Sequence, residues 1–233
     1  MITSPASRMT RAAIAACCLV LAWGCTAPPQ RSHYILNYVP DPLAERTRQT
    51  PYPFTLRVRD FGIEDAYSRP QIVYRQSPFQ LQYYFYRVWA VRPSRMITDL
   101  IVKHLTTVDL VSRVVRRYDE GVRPDYELTG MIEAIEEYNS DDIWFAHMAI
   151  RFKMTRLLDG VVLYNRQFAQ RKRVFEKQPE FVVRELSLIM NFIMNQVAGD
   201  LDQLFAREYG LLDAAPTIPA DPDSILDTPE VWR

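Results

Sequence analysis

The chain has 233 residues, 48% hydrophobic and 24% charged, an ordinary globular composition with enough apolar material for one sizeable core. Its 28 basic side chains balance 28 acidic ones, so no basic field exists to hold nucleic acid. Glycine is scarce, and none of the seven builds a Gly-rich loop that would cradle a phosphate.

At the N-terminus, Arg8 and Arg11 precede an apolar run from Ala12 to Trp23. The run is shorter than the about 20 residues of a membrane span and suits the core of a signal peptide. It closes on Leu21-Ala22-Trp23-Gly24-Cys25. A small residue directly before a cysteine at the end of such a run marks a lipid-processing site. Cleavage there exposes Cys25, whose thiol takes diacylglycerol and whose freed amine is acylated. Ala22 departs from the leucine usual at that place. Ile14-Ala15-Ala16-Cys17 fits the same local pattern, but it leaves only about five apolar residues after Arg11, short of the roughly 7–15 required. Cys25 is therefore the expected lipidation site. Several acyl chains, at about 0.8 kcal/mol per buried methylene, anchor stably where one would be marginal.

Removing residues 1–24 takes away Cys17, Cys18, Arg8 and Arg11, leaving 26 basic against 28 acidic side chains, a net charge of −2. The lone remaining cysteine excludes an internal disulfide and a Cys-based metal site. No prosthetic group is expected beyond the covalent diacylglycerol and N-acyl chain at Cys25. The expected division is a signal peptide over 1–24, a lipidated tether over 25–32, a folded periplasmic domain over 33–211 and a tail over 212–233. That tail carries Pro216, Pro219, Pro222 and Pro229 and reads as disordered.

Within the domain, Tyr34-Ile35-Leu36 opens a strand. Phe54–Asp60 reads as another, because Phe54, Leu56 and Val58 alternate with Thr55, Arg57 and Arg59. Gln71–Tyr74 and Gln80–Phe85 form a hairpin around Ser77-Pro78. Ser94 is the predicted N-cap of a helix with a stripe of Ile97, Ile101 and Leu105, ending near Thr107. A short strand follows within Leu110–Arg116. Tyr126, Leu128, Ile132 and Ala134 then share one strand face, with Glu127, Thr129 and Glu133 on the other. A long period-2 run from Trp144 to Thr155 leads into Asp159-Gly160, a two-residue hairpin signal, and a return strand over about 161–173. The last and longest helix spans about 179–208, where Val182, Leu186, Ile189, Ile193, Val197, Leu201 and Leu204 keep helical spacing. Phe181, Leu188 and Phe192 fall off that stripe and offer a second contact face, unless neighbouring loops bury them.

Catalytic chemistry finds no support. His33, His104 and His147 sit in no metal or triad motif, and no serine has a nucleophile-elbow setting. Glu136-Glu137 and Asp141-Asp142 are adjacent acids, which point apart in a strand and usually mark a solvated loop or edge. The densest feature is Tyr83-Tyr84-Phe85-Tyr86-Arg87-Val88-Trp89. Strict alternation buries Tyr84, Tyr86 and Val88 and presents Tyr83, Phe85, Arg87 and Trp89. Aromatics with arginine suit a protein interface; the alternative is that both sheet faces are covered within the domain.

Ile72-Val73-Tyr74-Arg75, Leu81 to Tyr84, Tyr86-Arg87-Val88-Trp89-Ala90, Pro93, Met96 and the helix to Leu105 together resemble the ABC-type transport auxiliary lipoproteins, partners of MCE-type lipid transport systems. Tyr34-Ile35-Leu36 fits the same resemblance, which covers about residues 25–208. Val91 and Arg92 stand where an acidic residue is frequent. The resemblance implies an α/β (α+β) fold, with a mixed, largely antiparallel sheet packed by two main helices, similar to the TolB N-terminal domain. It also implies a non-enzymatic role in moving lipid between envelope membranes. Its partners would be an MCE-domain protein and ABC permease and ATPase subunits, with possible homo-oligomers. Thr26 rather than Asp follows Cys25, which favours the outer membrane. The rival expectation is a structural or assembly lipoprotein of a secretion or outer-membrane biogenesis complex.

Overall fold

The computed structural model describes residues 30–211 except 44, 118–122 and 141–142. The expected signal peptide, Cys25, the tail and the Asp141-Asp142 pair all lie outside the described residues.

The strands are β1 (Ser32–Tyr34), β2 (Tyr52–Val58), β3 (Gly62–Ile63), β4 (Gln71–Ser77), β5 (Gln80–Trp89), β6 (Val111–Val115), β7 (Tyr126–Ser140), β8 (Ile143–Arg156) and β9 (Val162–Val174). Helices α1 (Pro93–Val108) and α2 (Pro179–Glu208) complete the domain, with a 3-10 turn at Asp65–Tyr67. This is the mixed α+β architecture expected from the sequence.

β7 organises the sheet. Along one edge it pairs antiparallel with β8 over nearly its whole length, and β8 pairs antiparallel with β9. Its other edge is divided. Tyr126–Leu128 pair parallel with β2, which carries β6. Met131–Ile132 pair with β3. Glu136–Tyr138 pair parallel with β4, which carries β5 and then β1. Two separate ribbons therefore share one 15-residue strand.

Local chemistry explains most boundaries. The turn after β8 holds Gly160 at φ +74°, a conformation glycine adopts without penalty. Asp159 accepts from the Val161 amide at 3.2 Å and is gripped by Arg156. α1 begins one residue before the expected cap. Pro93 takes the first helical position, where its fixed φ and missing N–H do no harm, and Ser94 is not the N-cap. The Ser94 carbonyl instead accepts from Thr98 Oγ1. The helix stops at Asp109, whose φ of 53° turns the chain out.

The apolar stripes of both helices are buried as their spacing requires, α2 against β8 and β9 and α1 against β6. Between β1 and β2 the chain forms a strap laced along α2. Tyr34 Oη donates to Glu180, the Asn37 amide to Ser187 Oγ, Asn191 to Asp41, and the Thr47 amide and hydroxyl to Asp202.

The face assignment on β7 changes midway. Ile132 pairs with Ile150 but Ala134 pairs with Ala149, so Glu133 is an extra, bulged residue. The bulge moves Ala134 and Glu136 to the face away from α2 and puts Ile135 and Glu137 on the helix-covered face. Ala134 thus does not share a face with Ile132, contrary to the alternation read from sequence.

Candidate functional site

The side chains singled out by the sequence fall into two surface groups, two buried networks and one buried ring.

On β5, Tyr83 and Phe85 face solvent, at 37% and 71% exposure. The Arg69 guanidinium lies 4.8 Å from the Tyr83 ring, and Phe85 meets Tyr86 edge-on at 4.8 Å. Arg87 stacks on Tyr84 at 4.5 Å. Trp89 does not belong to this surface. It is 4% exposed, and its amide donates to the Pro70 carbonyl at 2.6 Å. Strict alternation failed because β5 is irregular: Val73 pairs with Tyr83 while Gln71 already pairs with Val88. The extra residues change the strand's phase and turn Trp89 inward.

On α2, Leu188 and Phe192 are 43% and 49% exposed, one helical turn apart. Phe181 is partly buried beneath the Arg184 guanidinium, 4.6 Å above its ring. β1 lies between the two groups, since Tyr34 pairs with Trp89 and bonds Glu180.

The adjacent glutamates do point apart, but neither is solvated. Glu136, almost fully buried, lies on the face away from α2. It accepts from Tyr67 Oη at 2.7 Å and Arg75 Nε at 3.1 Å, and His147 Nδ1 lies 3.0 Å away. Burial pushes its carboxyl up, but the hydrogen bonds from His147, Tyr67 and Arg75 outweigh that and hold it below the ordinary glutamate value. Tyr67 is pushed up to about 12 by burial and by this carboxylate. Glu137, fully buried on the opposite face, accepts from Tyr84 Oη at 2.9 Å and Asn139 at 2.8 Å. Burial dominates there and leaves its carboxyl raised. The sequence clue to both was a carboxylate pair directly following the apolar Ala134-Ile135 step of a strand.

His104 is fully buried in α1, its ring centroid 5.8 Å from that of Tyr38. Burial lowers it to about 4 against an opposing pull from Asp41. Among the described residues no group of three or more His, Cys, Asp or Glu could hold a metal ion, and no helix is long and apolar enough to cross a membrane.

These features define a class: an α+β domain whose buried Glu136 and Glu137 are bonded into the sheet and whose singled-out exposed aromatics lie on one strand and one helix. The ABC-type transport auxiliary lipoprotein component family matches residues 34–198, and the chain belongs to it. Among solved structures it is similar to protein XCC0632 from Xanthomonas campestris, with a TM-score of 0.67 at 17% identity, covering 76% of this chain and 99% of that one. An uncharacterized protein is similar with a TM-score of 0.60 at 13% identity, covering 74% of this chain and 99% of the other. These likenesses concern the fold. No curated protein matches the chain.

Proposed function

We propose that this protein is a non-catalytic auxiliary subunit of an ABC-driven system that moves lipid, or another hydrophobic compound, between envelope membranes. It is anchored through acyl chains on Cys25 at the periplasmic side of a membrane, the outer one by preference. Its partners in this reading are an MCE-domain protein and the permease and ATPase subunits that supply energy, with copies of itself as a further association. The observation that carries the reading is the family match across residues 34–198. The lone mature cysteine and the exposed aromatics of β5 and α2 support it. Such residues make strong contacts at low entropic cost. Tyr83, Phe85, Arg87, Leu188 and Phe192 are the proposed docking residues, with Phe181 supporting the helix stripe. Affinity purification of the full-length protein from membranes in mild detergent tests this. Mass spectrometry should find a triacylated Cys25 terminus, together with MCE and ABC subunits. The Phe85→Asp and Phe192→Asp variants should keep the fold and lose at least one partner. A lipidated protein that copurifies with none of them would sink the transport role.

A further inference from the structure

β2 and β6 run parallel and end side by side, and the N-terminus of α1 meets their carboxyl ends. In open sheets with parallel strands this crevice is the usual place for a ligand. Here it holds a cavity of about 840 Å³ walled by Arg57 near the end of β2, Arg59 and Asp60 just past it, Ser94 and Arg95 from the first turn of α1, and Val115, Arg116 and Arg117 at and just past the end of β6.

The charges do not cancel. Among the described residues, five guanidinium groups meet three carboxylates. Arg116 is held by Asp60 and Asp99. Arg57 pairs with Glu127 at 3.1 Å. Arg59 reaches the same carboxylate only at 3.6 Å, and Arg95 reaches Asp99 only at 3.9 Å. Arg117 is exposed and makes no ion pair among the described residues. Shared among five cations, Asp60, Asp99 and Glu127 leave an excess of positive charge among the described residues. Guanidinium groups on three separate elements therefore converge on one hollow with unspent donors. Arginine's planar fork binds two oxygens of one anion at once, and a phosphate, with more oxygens than a carboxylate, can take such forks from several arginines together. The positive end of α1 adds to the same field.

We infer that this crevice is a binding site for a phosphate group, with Arg59, Arg95 and Arg117 as its ligating residues. Arg57 and Arg116, fixed by their acids, shape its wall. The phosphate is that of a lipid headgroup or of a soluble phosphate ester. The lipid assignment rests on the proposed transport role; phosphate binding itself does not.

The test is calorimetric titration of the purified full-length protein with inorganic phosphate, glycerol 3-phosphate, dihexanoyl phosphatidic acid and an Asp/Glu decapeptide. Saturable binding of the phosphate probes is expected, weakening as salt rises. The double variant Arg59→Gln/Arg117→Gln leaves the pairs of Arg57 and Arg116 in place. It should melt like the parent and bind at least about tenfold more weakly. Tighter binding of phosphatidic acid than of glycerol 3-phosphate assigns the site to lipid, and equal binding assigns it to phosphate alone. No saturable binding of any phosphate probe, an unchanged affinity in the variant, or a preference for the acidic peptide overturns the site. Failure to copurify transport subunits would instead sink the transport role and leave phosphate binding intact.

Discussion

Glu136 shows how much one carboxylate can hold in place. It joins Tyr67, Arg75 and His147 across three separate elements in a site almost closed to water. Removing it takes the shared acceptor from a buried phenol and from a guanidinium that is only partly buried and keeps its bond to the Pro78 carbonyl, which costs about 1–3 kcal/mol. Glu136→Ala should therefore lower the melting temperature by roughly 2–12 °C, at about 2–4 °C per kcal/mol for a domain of this size. A change under 2 °C in a thermal melt would contradict this ranking. His104 acts through protonation. Its folded value, about 4, lies below the 6.5 of the free side chain. It thus adds stability that is complete above about pH 6.5 and is lost as pH falls toward 4. Between pH 7 and pH 5 the loss should be about 2 kcal/mol in urea titrations, and His104→Leu should flatten the slope. The sequence reading found no metal or triad motif around His104 and expected Glu136 in solvent. A carboxylate's partners come from distant segments, here Tyr67, Arg75 and His147, so no local pattern announces its burial.

At the scale of elements, close approach decides more than propensity. A Cβ built on Gly130 would stand 2.2 Å from Phe61 Cε1 and 2.3 Å from the Arg151 carbonyl oxygen. The second contact is backbone and cannot swing aside. Gly130→Ala should destabilise by about 1–3 kcal/mol or more, read as a lower urea midpoint with an unchanged slope. Much at this scale was legible beforehand. The alternation of β8 and the helical stripe of α2 each rest on contiguous residues and lie where expected; the hairpin also falls at Asp159-Gly160, but its loop is longer than the two residues expected, closed by the Arg156 amide on the Val161 carbonyl. The misplacements share a cause. Glu133 in β7 and the irregular stretch of β5 each shift the period of a strand, moving Ala134 to the other face and Trp89 into the core. A bulge is set by the neighbouring strand, which a single run of sequence does not contain. The parallel pairings of β2 and β4 with β7 were hidden for the same reason.

For the molecule as a whole, the lipid tether proposed at Cys25 would decide where the domain works. Cys25→Ala should release the protein from membranes into the soluble periplasmic fraction while its circular dichroism stays unchanged, because no described contact depends on the anchor. Protein still sedimenting with membranes after that change would show a second means of attachment. The divided edge of β7 has a further consequence. Both ribbons that it joins, β2 with β6 and β4 with β5, precede it in the chain, so most of the sheet waits for a strand that begins at Tyr126. In the export that the proposed location requires, more than half the polypeptide would reach the far side of the membrane with hydrogen-bonding edges open, and long-range closures of this kind are slow. Such a chain invites periplasmic holding factors, and its yield should respond to their abundance more sharply than its equilibrium stability would suggest.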